Sequence, residues 1–467
     1  MVPLIQSLVK LHLERLAAED INLDDFVPRV AEKAGVIQQK YSPFITLNEI
    51  GGLDKKATKL PFSVKDNICT QGIRTTAGSR ILENYLPPFD ATCVRWIKNA
   101  GGFVIGKTAM DEFGFGTFST NCAYGAPRNP IDPQRVCGGS SGGAACVAAA
   151  ADFPHIAIAQ STGGSITAPA SFTGTVGLTP TYGRVSRWGL IDYANSMDKI
   201  GVIGKCSYDA AFGLSLIAGH DSLDSTSLDA PKADYTKVLE RDNSIRHLRI
   251  GVPSEYFDGD GIDPKVKKIV WDKIASLERF GATYEEISLP STKYATAAYY
   301  LIAMSEASTN LAKFCGLRYG TQEAWKEDEN YEKYFSSVRE RGFGEEAKRR
   351  IVLGTYARMS GYRDAYYIKA LKVRAKIIGE FKRAFGGVGA IATPSMPIFA
   401  PRFDEVKGLS PVQGYAMDMM TTAPNLAGLP TISAPAGDSG GLPVGIQFIC
   451  DYENEGTLLQ LAAACEV

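Results

Sequence analysis

The sequence predicts a layered α/β fold in which one large β-sheet forms the core. Short apolar runs alternate with helix-like segments between residues 60 and 215, which is typical of α/β proteins. Strand-like runs appear again near the end of the chain. We therefore expect that these last strands complete one sheet and that residues 1–467 form a single domain. The 467 residues are 45% hydrophobic, which is enough to build a large core.

The first half of the chain predicts a helical segment followed by the alternating region. Residues 1–50 carry apolar side chains at helical spacing, which predicts amphipathic helix that ends near Pro43. Within 60–215, strands are predicted for LPFSVKD, FVIG and HIAIAQS, and helices for DATCVRWIKNAG, capped by Asp90, and for AACVAAAA. Residues 221–247 are polar, which predicts an excursion from the core.

The second half predicts two further strands, a long helical region and the returning strands. LRIGVPSEYF and GATYEEISLP are predicted as strands on either side of a helix at 264–280. Residues 295–385 have sustained helical patterns. The returning strands are predicted at GAIATPSMP, PTISAPAG and PVGIQFI.

The composition argues against several classes of function. The formal net charge is −1, so the chain has no overall field that would attract nucleic acid or an acidic membrane. Nine cysteines without a C-x-x-C pair and four scattered histidines argue against a disulfide framework and a metal site. Neither a signal peptide nor an apolar stretch of about 20 residues is found. We therefore expect a soluble cytoplasmic protein without a metal or membrane contact.

Two motifs suggest functions that their surroundings do not support. GGFVIGKT, residues 101–108, has the spacing of a nucleotide-binding P-loop, but the residues between its glycines are themselves a predicted strand. GSSGG, residues 139–143, has the spacing of the nucleophile elbow of α/β-hydrolases. No convincing strand precedes it, and His220 and His247 stand in polar segments. A nucleotide-binding or scaffold protein and a Ser-His-Asp hydrolase remain the alternatives from other classes.

A second serine loop is predicted in QSTGGSITAPAS, residues 160–171. Its Ser165 follows Ser140 of the first loop by 25 residues. Its glycines permit a tight turn in which the amides of Thr162, Gly163, Gly164 and Ser165 can converge on one point. Converging N–H donors are what an oxyanion hole requires. With no suitable histidine, Lys65 at the end of the predicted strand LPFSVKD is the candidate base, because burial lowers the pKa of a lysine. A solvated lysine at a strand end is the simpler alternative.

PFSVKDN, GGSSGG and STGGSITAPASFTGTVGL together resemble the amidase signature family, whose members use a Ser–cis-Ser–Lys triad. The resemblance implies that Ser165 is the nucleophile, Ser140 the bridging serine after a cis peptide bond, and Lys65 the base. It also implies that Ser141 supports these groups and that Thr162, Gly163 and Gly164 form the oxyanion hole. The implied fold is the amidase signature fold, a large mixed twisted β-sheet covered by helices on both faces.

Other segments are similar to the glutaminase subunits of tRNA-dependent amidotransferases within that family. They are IAMSEASTNLAKFCGLRYG, KRRIVLGTYARMSGYRDAYY and PNLAGLPTISAPAG, so the resemblance extends over nearly the whole chain. It implies hydrolysis of glutamine, with ammonia passed to a partner, the amidotransferase B subunit, which uses ATP and Mg to convert Glu-tRNA(Gln) to Gln-tRNA(Gln). A small C subunit or its equivalent is also implied, contact with tRNA is indirect, and this chain needs no cofactor of its own.

Glutamine carries both a carboxylate and an ammonium group, and the resemblance assigns Arg350 and Asp418 to bind them. A guanidinium suits a carboxylate because it can form two parallel hydrogen bonds. The simpler alternatives are a solvated charge for Arg350 and a helix cap for Asp418. These two residues separate the glutaminase from a stand-alone amidase that acts on small or peptide amides, because a neutral amide needs neither charge. The region 295–385 would then carry part of the substrate pocket.

Two positions beside the nucleophile depart from the family pattern. Ser161 and Thr167 stand where relatives commonly have Asp and Arg. Losing one member of a buried ion pair would leave the other charge buried without a partner. We therefore expect that the pair was replaced as a unit by hydroxyl groups that form hydrogen bonds.

Overall fold

The computed structural model describes residues 7–50, 59–240, 245–259, 261–324 and 330–467. Parts of three predicted segments therefore lie outside the described residues: the first six of the N-terminal helical segment, residues 241–244 of the excursion, and 325–329 of the helical region. Among the residues described, no helix combines the length and the apolar character that crossing a membrane requires.

Eleven strands within the described residues form one mixed sheet. They are β1 Phe44–Leu47, β2 Leu60–Lys65, β3 Gly102–Thr108, β4 Ile156–Ser161, β5 Val176–Thr179, β6 Lys199–Gly204, β7 Arg249–Pro253, β8 Thr283–Ile287, β9 Ala390–Pro394, β10 Thr431–Ser439 and β11 Leu442–Ile449. Their order is β1-β3-β2-β4-β6-β5-β10-β11-β9-β7-β8. The predicted single sheet, completed by strands from the end of the chain, is confirmed.

Burial of the central strands indicates that both faces of the sheet are covered. Successive side chains of a strand point to opposite faces, yet every residue of β2, β3, β4, β5, β6 and β9 is buried. The strand pair β2–β3 and the strand pair β2–β4 are both parallel, so helices must cross over the sheet between them. Edge strand β8 is mostly exposed.

Sixteen α-helices lie within the described residues. They are α1 Leu8–Ala17, α2 Leu23–Tyr41, α3 Thr92–Asn99, α4 Gly142–Ala150, α5 Thr167–Thr173, α6 Ser207–Ile217, α7 Lys237–Glu240, α8 Pro264–Ser276, α9 Ala295–Asn310, α10 Tyr331–Gly342, α11 Glu345–Arg358, α12 Lys369–Ala384, α13 Phe403–Lys407, α14 Pro411–Ala416, α15 Thr422–Leu426 and α16 Glu455–Cys465. Residues Asp364–Ile368 form a π-helical turn between α11 and α12. The long helical region predicted for 295–385 corresponds to α9 to α12.

The helical segment ends near Pro43, as the sequence predicted: the chain leaves α2 through Ser42 in the left-handed conformation, and Phe44–Leu47 then pair with β3 as strand β1. One local prediction differs from the structure. Asp90 does not cap α3, whose N-cap is Ala91 without a side-chain hydrogen bond. The Asp90 carboxylate instead accepts hydrogen bonds from the Gln71 amide and Lys98 Nζ.

The P-loop spacing at residues 101–108 belongs to strand β3, as the sequence predicted. Lys107 within it is buried, and its Nζ donates hydrogen bonds to the Ile68 carbonyl oxygen and to Thr70 and Thr75 Oγ1. An ammonium group held this way inside the fold cannot reach a phosphate, so the nucleotide-binding interpretation has no structural support.

Candidate active site

Lys65 ends strand β2, in the buried centre of the sheet between β3 and β4, and none of its surface is exposed. Its Nζ donates hydrogen bonds to Ser140 Oγ at 2.7 Å and to the Gln160 carbonyl oxygen at 2.8 Å. Burial lowers the pKa of Lys65 to about 7, although the charges of Asp111 and Asp198 act in the opposite direction. The neutral amine is therefore available near neutral pH, and the alternative of a solvated lysine is wrong.

Ser140 and Ser141 lie in the turn that leads into α4, and the Gly139–Ser140 peptide bond is cis. Ser141 Oγ donates a hydrogen bond to the Gln160 carbonyl oxygen at 3.1 Å, the same oxygen that accepts from Lys65. Gly139 must be glycine, because a Cβ there would collide with the Asp111 carboxylate. The GGSSGG segment is thus a packed turn that holds two hydroxyl groups next to the lysine.

Ser165 lies in the loop between β4 and α5, and its side chain is 8% exposed. Gly164 has a φ of +144°, and a Cβ there would collide with Thr421. The Gly164 amide donates a hydrogen bond to Ser161 Oγ at 3.1 Å, so this candidate oxyanion donor is engaged within the loop. Thr162 and Gly163 precede it in the same loop.

Ser140 and Ser165 are not joined by a direct hydrogen bond in the part of the chain that the structure describes. The side chain of Ser140 is held by Lys65, whereas Ser165 lines a cavity. A proton relay between the two serines therefore needs a hydrogen bond that this arrangement does not contain.

A small cavity connects the candidate nucleophile with the two predicted substrate-binding residues. Its lining residues are Gly114, Gly116, Gly163, Gly164, Ser165, Tyr299, Tyr300, Arg350 and Asp418. Residues from separate stretches of the sequence meet here. The cavity therefore combines a hydroxyl, a guanidinium and a carboxylate in one small space.

Arg350 is 2% exposed, so the alternative of a solvated helix charge is wrong. Its Nε donates a hydrogen bond to Glu346 Oε1 at 2.8 Å, and Nη1 donates one to the Tyr193 hydroxyl at 2.5 Å. The guanidinium also lies 5.1 Å from the ring centres of Phe115 and Tyr300. Within the described ranges no group accepts a hydrogen bond from Nη2, which leaves this nitrogen for a ligand.

Asp418 lies in the short 3-10 turn Met417–Met420 and is only partly exposed. It does not act as a helix cap; its carboxylate accepts hydrogen bonds from Thr117 Oγ1 at 2.9 Å and from the Tyr300 hydroxyl at 2.6 Å. Burial raises the pKa of Asp418 to about 6, although these two hydrogen bonds lower it. The group is therefore mainly ionised above pH 6 and can attract an ammonium group.

The two hydroxyl residues that depart from the family pattern behave differently from each other. Ser161 Oγ accepts the hydrogen bond from the Gly164 amide. Thr167 Oγ1 is buried, and no described residue forms a hydrogen bond with it. The prediction that both hydroxyls form hydrogen bonds thus agrees with the structure for Ser161 and is wrong for Thr167.

Several polar residues at this site were not predicted from the sequence. Gln160, Asp198 and Asp111 surround Lys65 and its loops, and each is a single polar residue within an otherwise apolar or mixed segment. No spacing pattern marks such residues. Glu346 could have been found, because it precedes Arg350 by four residues and this spacing places both side chains on one face of a helix.

A search of the described residues finds no group of three or more His, Cys, Asp or Glu side chains placed to hold a metal ion. His220 and His247, considered above as partners for a serine nucleophile, are both exposed.

Comparison with known proteins agrees with this geometry. Residues 7–459 match the Amidase family. This chain belongs to the amidase family. The A subunit of glutamyl-tRNA(Gln) amidotransferase from Carboxydothermus hydrogenoformans is 47% identical to it over 97% of this chain and 95% of its own length. The A subunit of the enzyme with the same name from Methanococcoides burtonii is 48% identical over 87% of this chain and 84% of its own length.

Solved structures give the same result. The crystal structure of the A subunit of glutamyl-tRNA(Gln) amidotransferase from Thermotoga maritima superposes with a TM-score of 0.82 at 36% identity, over 98% of this chain and 93% of that one. The peptide amidase of Stenotrophomonas maltophilia superposes with a TM-score of 0.80 at 26% identity, over 99% of this chain and 96% of that one. The relatives named as A subunits belong to enzymes of more than one subunit.

Proposed function

We propose that this chain is the glutaminase subunit of a tRNA-dependent amidotransferase. The observation that carries the proposal is the cavity in which Ser165 lies together with Arg350 and Asp418. A cation and an anion in the same cavity as a nucleophile are suited to an amino acid whose side-chain amide is cleaved. Similarity to the A subunits of glutamyl-tRNA(Gln) amidotransferases supports this choice over a stand-alone amidase.

The proposed reaction begins when neutral Lys65 accepts a proton from Ser140, which in turn accepts the proton of Ser165. The Ser165 oxygen then attacks the side-chain amide carbon of glutamine, and negative charge develops on the amide oxygen. Amides of the loop that contains Thr162, Gly163 and Gly164 would stabilise that charge. The relay then returns a proton to the nitrogen, the carbon–nitrogen bond breaks and ammonia leaves. Water hydrolyses the glutamyl ester to glutamate and restores Ser165.

The two charged residues of the cavity would bind the part of glutamine that does not react. The free Nη2 group of Arg350 can bind the carboxylate, and Asp418 can accept hydrogen bonds from the ammonium group. Because Tyr300 donates to Asp418 and lies against Arg350, it holds the two charges in a fixed arrangement. A neutral amide would make no ion pair with Arg350 or Asp418, so it would gain less from this cavity than glutamine does.

Ammonia would pass to the amidotransferase B subunit, a partner that uses ATP and Mg to convert Glu-tRNA(Gln) to Gln-tRNA(Gln), with a small C subunit in the same cytoplasmic complex. The outer side of helix α11 supports a docking role. Val352 and Leu353 are 67% and 44% exposed, and Tyr356 and Met359 continue the same exposed surface. Contiguous exposed apolar surface marks protein contacts. We propose that this surface, on the helix that carries Arg350 on its buried side, receives the partner subunit.

The test measures ammonia release from glutamine by the chain purified with its co-expressed partners, with and without Glu-tRNA and ATP. We expect release that increases with tRNA and ATP. Ser165→Ala should lower the rate by at least about 1,000-fold, since removal of a nucleophile has effects of this size. Ser276→Ala on helix α8, where the hydroxyl donates to the Lys273 carbonyl and to no other described residue, serves as the matched control. Hydrolysis of neutral amides with glutamine ignored would contradict the proposal and favour a stand-alone amidase.

A further inference from the structure

We propose that Gln160 is a positioning residue that directs the lone pair of Lys65 toward Ser140. This inference rests on the proposed role of Lys65 as the base but not on the identity of the amide substrate. Gln160 lies near the end of β4, next to β2, and is 1% exposed. It contacts Lys65 with both its backbone carbonyl and its side-chain amide.

Lys65 Nζ has three oxygen neighbours. Ser140 Oγ lies at 2.7 Å, the Gln160 carbonyl oxygen at 2.8 Å and Gln160 Oε1 at 3.1 Å. An ammonium group donates to all three, because it has three N–H bonds. A neutral amine has two N–H bonds and one lone pair. Both Gln160 oxygens can only accept hydrogen bonds, whereas the Ser140 hydroxyl can also donate. Hence the neutral amine keeps its two N–H bonds on Gln160, and its lone pair faces Ser140.

The orientation of the Gln160 side-chain amide is determined by its other neighbours. Oε1 also accepts from Asn67 Nδ2 at 3.2 Å, while Nε2 donates to Asp198 Oδ1 at 3.0 Å and to Thr162 Oγ1 at 2.7 Å. A flipped amide would place Nε2 against two donors and Oε1 against a carboxylate. The carbonyl end of the side chain therefore faces Lys65.

Asp198 anchors this arrangement to the candidate oxyanion loop. Its Oδ1 accepts from Gln160 Nε2 and from Thr162 Oγ1 at 2.6 Å, and its Oδ2 accepts from the amides of Tyr193 and Ala194 at 2.8 and 2.9 Å. The side chain that orients the base is thus connected to the loop that carries Ser165. The charged groups that act on Lys65 are Asp198, before β6, and Asp111, after β3.

Two substitutions at Gln160 should move the pH dependence of the base in opposite directions. Gln160→Met removes an acceptor of the ammonium form, so the pKa of Lys65 falls and the acid limb of the pH–rate profile moves to lower pH. It also frees one N–H of the amine, and we expect kcat to fall roughly tenfold, the effect of one hydrogen bond. Gln160→Glu places a carboxyl group beside the amine, which favours the ammonium form and moves the limb to higher pH.

The experiment measures the rates of two reactions of the complex as a function of pH. One is glutamine hydrolysis, and the other is covalent labelling of Ser165 by a fluorophosphonate. In the labelling reaction the serine oxygen bonds to phosphorus, fluoride leaves and the base takes the proton. Labelling does not depend on recognition of glutamine. The matched control is Gln38→Met, which removes a side-chain amide whose hydrogen bonds within the described part of the chain go only to the backbone of Phe44. We expect its acid limb to coincide with that of the unmodified protein.

The inference is supported if the acid limb of the pH–rate profile for labelling moves to lower pH in Gln160→Met and to higher pH in Gln160→Glu. Limbs that stay in place in both variants overturn it, even if both rates fall, because that result indicates a structural role only. If Gln160→Met does not fold, the nearly isosteric Gln160→Glu decides by itself. If the unmodified protein ignores glutamine but the labelling limbs move as expected, the proposed function fails while the role of Gln160 stands.

Discussion

Replacing Arg350 by lysine tests the proposed substrate site while the net charge stays the same. The guanidinium is engaged by Glu346 and Tyr193 through Nε and Nη1, which leaves Nη2 for the substrate carboxylate. A lysine has neither the planar fork nor the reach to make these contacts together. Losing one hydrogen bond to a charged group costs about 1.5–3 kcal/mol, which corresponds to a fall of roughly 10- to 150-fold in kcat/KM.

The assay compares kcat/KM for glutamine with that for a neutral primary amide, in the complex with its partner subunits. We expect Arg350→Lys to lower the value for glutamine mainly through KM, because the carboxylate is bound in the ground state as well as in the transition state. The value for the neutral amide, which has no carboxylate, should change far less.

Arg349→Lys is the matched control, since Arg349 is the preceding residue, also pairs with Glu346 and has a partly exposed side chain. We expect it to leave both kcat/KM values unchanged. Equal losses for glutamine and the neutral amide in Arg350→Lys, accompanied by a lower melting temperature, would refute the reasoning. Such a result would mean that Arg350 supports the fold through Glu346 and Tyr193 without touching the substrate.

Two further predictions concern pH and the partner surface. The pKa of the base Lys65 is about 7 and that of Asp418 is about 6, and both groups must lose their protons for activity. A plot of log kcat/KM against pH should therefore rise with a slope of two below pH 6 and a slope of one between pH 6 and 7. In Asp418→Asn the steeper part should be absent; a slope of two that persists there would contradict the assignment. Val352→Glu combined with Leu353→Glu should abolish co-purification with the partner subunit while the melting temperature stays unchanged. Val36→Glu, similarly exposed on α2, is the control, and retained co-purification in the double variant would exclude the surface.

Local patterns were sufficient to predict the elements that frame the site. β2 and β3 were predicted from continuous apolar runs, because strands buried on both faces have such runs. The turn residues of the two serine loops were also readable, since only glycine permits the close contacts at Gly139 and Gly164. Strands β1, β5 and β6 were not singled out. β1 and β5 have only four residues each, and pairing with other strands of the sheet determines that all three form.

The sequence by itself indicated which residues carry the proposed chemistry. Lys65 was a candidate base at the end of a predicted strand, and the resemblance of their segments to the amidase signature family assigned the roles of Ser140 and Ser165. Only the tertiary structure decided their electrostatic state. The pKa of Lys65 depends on how completely the fold removes water from it, and the direction of its lone pair depends on Gln160, which lies on a different strand. Likewise, the resemblance assigned Arg350 to the substrate, but only the fold decides that its side chain is buried and lines the cavity. Desolvation and hydrogen-bond partners are properties of the assembled fold, so no local sequence pattern contains them.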